Sequence, residues 1–91
     1  MRKLEPSRDA LNFLMALPGK QFKQIVGTVF GLLKNPEPHD SIRLAGYTCR
    51  RVDVGEYRVV YEATDETVEI LVIGKRYDDE VYKQLKRKIP K

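Results

Sequence analysis

The run Arg50-Arg51-Val52-Asp53-Val54-Gly55-Glu56-Tyr57-Arg58-Val59-Val60-Tyr61-Glu62-Ala63 settles the architecture of this 91-residue chain. Val52 and Val54 alternate with Arg51 and Asp53, the period-two pattern of a half-buried strand over residues 50–54. Gly55-Glu56 marks a tight turn or bulge, and Tyr57 to Ala63 gives a second strand, antiparallel to the first. Thr64-Asp65-Glu66 turns the chain again. Thr67 to Ile73 is a third strand rich in β-branched residues, ended by Gly74.

Downstream, Asp78 to Lys88 is expected as a short helix, with acids at its start and bases at its end as the macrodipole prefers. Upstream, Met1 to Glu5 is expected as a short strand ended by Pro6. Ser7 caps a helix running to about Leu17, and Pro18-Gly19 stops it. Ala10, Leu11, Phe13, Leu14, Met15 and Leu17 span roughly 200° of that helix, twice a minimal buried stripe. One face meets the core, and the excess is available to another protein. Gly19 to Lys34 is a second helix with Phe22, Ile25, Val26, Val29, Phe30, Leu32 and Leu33 on its apolar face. Its Gly27 and Gly31 are expected to let the first helix approach. Asn35-Pro36 ends it, and residues 37–40 form a loop. The expected fold is α+β, in the order β-α-α-β-β-β-α: a short strand and a helical hairpin packed on a small antiparallel sheet, as one domain over residues 1–91.

Composition narrows the chemistry. The single cysteine, Cys49, excludes an internal disulfide and a cysteine-cage zinc site, and the single histidine, His39, disfavours a histidine-based metal site. No apolar run approaches the roughly 18 residues of a membrane span. Met1-Arg2-Lys3-Leu4-Glu5-Pro6 lacks the apolar segment of a signal peptide, so the expected compartment is the cytosol. The 17 basic residues outweigh the 13 acidic ones for a net charge of +4, which suits a polyanionic partner. Lys83, Lys86, Arg87, Lys88 and Lys91 crowd the C-terminal end, while Arg50, Arg51 and Arg58 lie mid-chain.

A phosphate-binding glycine loop, a carboxylate pair in an apolar setting and a hydrolytic triad are all missing from the sequence. His39 is expected at the surface and Cys49 as strand filler. Arginine and tyrosine remain. Arg51 and Arg58 fall on successive strands and can share one sheet face; Arg76 follows the third strand at the sheet's rim, and Tyr82 opens the last helix. Converging guanidiniums would bind phosphate through bidentate hydrogen bonds. The alternative is that these bases are solvated and pair across strands with Asp53, Glu56, Glu62 or Glu69.

Gly46-Tyr47 before a basic strand, Val54-Gly55-Glu56-Tyr57-Arg58-Val59-Val60-Tyr61, and Gly74-Lys75-Arg76 followed by Asp79-Glu80-Val81-Tyr82 resemble the toxins of the RelE/ParE superfamily of toxin–antitoxin pairs. The resemblance covers nearly the whole chain. The lysine–arginine pair with a tyrosine six residues on points to the RelE branch, which implies cleavage of mRNA in the ribosomal A site. It implies that Arg58 stabilises the scissile phosphate, that Arg76 lies near the leaving 5′ oxygen, that Tyr82 stacks on or orients the substrate, and that Arg51 is the first basic residue of the preceding strand. At the second basic position the chain departs from the family with Asp53, for which Lys75 or Arg50 would have to substitute. Arg50, Lys75, Lys83, Lys86 and Arg87 are the expected RNA contacts.

The implied reaction is attack of a ribose 2′-OH on the adjacent phosphate, with no cofactor and no metal. Its partners would be mRNA in the A site, ribosomal RNA and a cognate antitoxin, with no membrane. An antitoxin helix would cover the surface near Leu11 and Met15, an acidic segment would approach the arginines, and the last helix would be displaced. The alternative for Leu11 and Met15 is that they complete the chain's own core. Two other functions stay open at this level: a ParE-like inhibitor of DNA gyrase, and a member that binds RNA or antitoxin without cutting.

Overall fold

The computed structural model describes residues 2–77 and 80–88. Its elements are β1 (Lys3–Pro6), α1 (Arg8–Met15), α2 (Gly19–Lys34), β2 (Ser41–Arg43), β3 (Arg50–Val54), β4 (Tyr57–Ala63), β5 (Thr67–Lys75) and α3 (Glu80–Lys88). The expected α+β class holds, with a sheet of five strands in the order β1-β5-β4-β3-β2. Met1, the helix start placed at Asp78 and the terminal Lys91 lie outside the described residues.

Ser7 caps α1 as its sequence demands: its hydroxyl accepts from the Ala10 amide at 3.1 Å and donates to the Leu71 carbonyl at 2.8 Å. That carbonyl is available because β5 is irregular there. Val60 pairs with Val72 and Tyr61 with Ile70, leaving Leu71 as the extra residue of a bulge. The helix stops at Met15, two residues earlier than the apolar pattern indicated, and Leu17 instead donates to the Leu14 carbonyl at 3.1 Å. Leu17 precedes Pro18, whose ring disfavours helical backbone at the residue before it.

Three further expectations are corrected. Gly27 and Gly31 are exposed, with open space where a Cβ would stand, so they do not admit α1. The sheet is mixed, because β1 runs parallel to β5 from Lys3 opposite Thr67 to Pro6 opposite Ile70. Pro6 is tolerated there because β1 is an edge strand. A strand absent from the expected order, β2, pairs antiparallel with β3 at the other edge. With three residues and Ile42 53% exposed, it carries no buried alternation to betray it.

Strand parity sorts the core onto the two sheet faces. Val52, Val59, Tyr61, Val68, Ile70 and Ile73 meet Ala10, Leu14, Ile25, Val29 and Leu32 of the helical hairpin. Tyr61 is wholly buried, and its hydroxyl donates to the Pro36 carbonyl at 2.7 Å. On the opposite face Val60 and Val72 pack with Val81 and Leu85 of α3 and with Cys49, which immediately precedes β3. Burial pushes the Cys49 thiol above its ordinary pKa. Burying Val81 and Leu85 contributes roughly 1.5–3 kcal/mol each. An exposed ion pair between Lys88 of α3 and Asp9 of α1, at 2.8 Å, adds little in water.

Candidate phosphate-binding site

The part of the second face that Val81 and Leu85 leave open carries the charged residues. Asp53 and Arg58 are direct partners across β3 and β4, on the face that also carries Arg51 two residues from Asp53. The hairpin between them is closed by Gly55-Glu56, where Gly55 has φ +58, a conformation side chains resist. Gly74 sits opposite Arg58 on β5 and does not end that strand, which continues to Lys75. A Cβ at residue 74 would lie 2.6 Å from Val81 Cγ2. The missing side chain therefore lets α3 close onto the sheet beside Arg58.

Asp53 is the hub. Arg58 donates from Nε to Oδ1 at 2.8 Å and from Nη2 to Oδ2 at 3.2 Å. Arg51 Nη1 stands 3.6 Å and Arg76 Nη1 3.8 Å from the same Oδ2. Arg58 Nη1 donates to the Tyr82 hydroxyl at 2.7 Å, and its Cζ lies 5.7 Å from the centre of the Tyr82 ring. A main-chain bond from the Arg76 amide to the Glu56 carbonyl, 2.9 Å, ties the end of β5 to the β3–β4 turn. The Arg58 side chain is 14% exposed and that of Arg76 36%, so the first is a fixed element and the second borders solvent.

The electrostatics follow from this geometry. The hydrogen bond from Arg58 holds the Asp53 carboxyl below the usual carboxylate range, against partial burial that would raise it, with help from the charges of Arg58, Arg51 and Arg76. The same hydrogen bond to Asp53 pushes the Arg58 guanidinium up. Three guanidiniums against one carboxylate leave the cluster at 3 − 1 = +2. Of five guanidinium N–H groups, Arg58 commits three to Asp53 and Tyr82, and the remainder can meet an anion. Such an arrangement can hold a phosphate and stabilise negative charge; an arginine and a depressed carboxylate are poor proton carriers at neutral pH.

Arg51, Arg58, Arg76 and Tyr82 are thus brought together. The pairing alternative also holds in part, since Asp53 bonds Arg58 across the strands while the basin keeps its positive charge. Arg50 and Lys75 are not brought to this site. Their strand parity is that of Val52 and Tyr57, on the hairpin side, and Arg50 donates to the Ser41 hydroxyl at 3.1 Å with Glu37 at 4.0 Å. Neither stands where it would replace a cation at residue 53. On α3, at about 100° per residue, Lys86 shares the flank of Tyr82, while Lys83 and Arg87 lie further around.

Leu11 and Met15 are 46% and 71% exposed, so they do not complete the core. With Leu4, Phe22, Val26 and Phe30 they line a wholly apolar groove of about 210 Å³ between β1 and the two helices of the hairpin. His39 is exposed, as expected. Among the described residues, no group of three or more histidine, cysteine, aspartate or glutamate side chains could hold a metal ion. Sequence reading missed Tyr77, whose ring stacks under the Arg76 guanidinium with 4.7 Å between Cζ and centroid. The only signal for it was an aromatic directly after that arginine.

The sequence model of the ParE toxin of type II toxin–antitoxin systems, parDE, matches residues 4–80. In fold, the chain is similar to a double arginine-to-alanine mutant of the E. coli toxin RelE in the free state, with a TM-score of 0.80 at 22% identity over 97% of each chain. It is similar to the isolated E. coli RelE toxin, with a TM-score of 0.74 at 25% identity, covering 98% of this chain and 100% of that one. A third neighbour comes from the RelE–RelB complex of Pyrococcus horikoshii, with a TM-score of 0.73 at 24% identity over 82% of this chain and 94% of that one. No curated protein matches the chain.

Proposed function

The chain belongs to the ParE toxin family of type II toxin–antitoxin systems, within the RelE/ParE superfamily, and from that premise we propose that it is a ribosome-dependent mRNA endoribonuclease. The observation that carries this reading is the basin in which Arg58, Arg51 and Arg76 surround Asp53 with Tyr82 bonded to Arg58. In the proposed reaction the ribose 2′ oxygen attacks the adjacent phosphorus and the bond from phosphorus to the 5′ oxygen breaks. The 2′-OH proton is lost, the leaving 5′ oxygen gains one, and the products are a 2′,3′-cyclic phosphate and a 5′-OH.

The nucleophile already belongs to the substrate, so the reaction needs in-line orientation above all. Arg58 takes the non-bridging oxygens, where negative charge gathers, and Arg76 stands by the leaving oxygen. Removing one preorganised donor of this kind costs on the order of 10²–10³ in rate. Tyr82 braces Arg58 and orients the substrate, and Lys86, Lys83 and Arg87 extend the positive surface along α3. The bent codon held by the ribosome supplies the alignment, so cleavage of free RNA is feeble.

Restraint comes from an antitoxin that lays an apolar helix face into the groove at Leu11 and Met15. Support comes from the wholly apolar lining of that groove and from RelE neighbours solved in complex with RelB. The match to the ParE toxin model leaves one competing reading, the ParE-like inhibitor of DNA gyrase that the sequence resemblance also allows. Induction without antitoxin, followed by mapping of mRNA 5′ ends, decides between them. Cuts within codons support the endoribonuclease; intact mRNA with double-strand DNA breaks and an SOS response supports the gyrase inhibitor.

A further inference from the structure

We propose that Tyr77 is the platform on which a nucleobase of the bound single strand stacks, next to the phosphate gripped by Arg58 and Arg76; this rests on the endoribonuclease reading above. Tyr77 is 79% exposed, more so than Leu11, Met15, Phe30 or Ile42. Scattered surface aromatics are ordinary, but this one is held in place. The Arg76 guanidinium lies 4.7 Å from its ring centre, and Arg76 Nη2 donates to its hydroxyl at 2.6 Å. The backbone just before it is pinned by the bond from the Arg76 amide to Glu56. A ring fixed at its cationic side and otherwise open stands at the rim of a phosphate site.

That combination suits unpaired RNA. Single strands are read by splaying bases onto aromatic rings or arginine planes while cations hold the backbone. A cation already over the ring adds to the attraction for a partner that carries its own π system. Tyr82 is differently employed: it is partly buried, and its hydroxyl receives the Arg58 bond. The two phenols therefore divide the work, with Tyr82 setting the arginine and Tyr77 offering a surface to the base. Stacking has no hydrogen-bond code, so any base is accepted, and stronger-stacking purines are preferred.

The test uses the full chain on ribosomes programmed with mRNA carrying 2-aminopurine at each A-site codon position in turn. A 2′-deoxy nucleotide at the cut site blocks the reaction. Wild type, Y77F and Y77W quench the fluorophore at one codon position, whereas Y77A and Y77L do not. With cleavable mRNA, Y77A and Y77L need roughly 5- to 100-fold more toxin for half-maximal cleavage, a loss in proportion to one stacked base. Equal quenching by wild type, Y77A and Y77L at every position overturns the proposal. So does a cleavage defect in Y77F as large as that of Y77A, since the hydroxyl bond to Arg76 would then be what matters. Wild type that cuts no mRNA removes the endoribonuclease reading itself, and the stacking role with it.

Discussion

Arg58 lies edge-on to Asp53, with Nε to Oδ1 at 2.8 Å and Nη2 to Oδ2 at 3.2 Å, and this fork fixes the guanidinium from which the rest of the basin is built. Asp53→Asn keeps the shape but loses the charge that holds Arg51, Arg58 and Arg76 together. A charged hydrogen bond at a partly buried site is worth more than a neutral one. Stability should fall by about 1 kcal/mol, read from the urea midpoint. Cleavage should fall as well, because Arg58 loses its fixed orientation. An unchanged midpoint would show that Asp53 does not organise the cluster.

The same pair predicts a pH dependence. The Asp53 pKa is lowered in the folded chain, chiefly by the Arg58 hydrogen bond. The unfolded chain therefore binds a proton at higher pH than the folded one. The stabilisation is complete above the ordinary aspartate pKa of about 3.9 and is lost as pH falls through the lower, folded value. Urea midpoints of wild type and Asp53→Asn should differ at neutral pH and draw together on acidification. A gap that stays constant down to the acid end would contradict this account.

Gly74 tests how the last helix is positioned. An added methyl would stand 2.6 Å from Val81 Cγ2, so Gly74→Ala must push α3 off the sheet or shift the strand. Overpacking of this kind costs typically about 1–3 kcal/mol. Because the Tyr82 hydroxyl sits 2.7 Å from Arg58 Nη1, the displacement should also break that bond. Gly74→Ala should melt earlier and lose mRNA cleavage, whereas Val81→Ala in the same background should recover part of both.

Arg58→Ala and Arg76→Ala should each abolish toxicity on induction while antitoxin binding, measured by co-purification, is retained. The apolar groove at Leu11 and Met15 lies on the hairpin side of the sheet, away from these arginines. Arg58→Lys should not rescue, since an ammonium cannot reproduce the fork to Asp53. Full toxicity in both alanine variants would refute the site.

Gly27 and Gly31 offer a prediction in the stabilising direction. Both are exposed in α2 with open space where a methyl group would project, so alanine fits without a clash. Each replacement should raise stability by about 0.4–1 kcal/mol through the reduced freedom of the unfolded chain. A loss of stability would mean that a methyl group at these positions meets a neighbour within the chain, contrary to the open space found there.

Local signals carried most of the elements. Alternating valines over 50–54, the Gly55-Glu56 turn and the Ser7 cap act over a few residues, and each element they announce is present. The short edge strand β2 escaped because its pairing with β3, and not its own three-residue sequence, makes it a strand. Arg50 and Lys75 stand on the other sheet face from the Asp53 basin for a related reason: charge is visible in a sequence, but the face it occupies is set by parity within a register.

The order of amino acids was enough to specify an antiparallel three-strand run, a helical hairpin and a basic terminus, because alternation, caps and turns depend on near neighbours. It took the assembled fold to make Asp53 the anchor of Arg51, Arg58 and Arg76. The same holds for Gly74, which by having no side chain brings Tyr82 to Arg58. Those meetings join residues up to 24 positions apart, and they exist only once strand register and helix docking have fixed which side chains share a face.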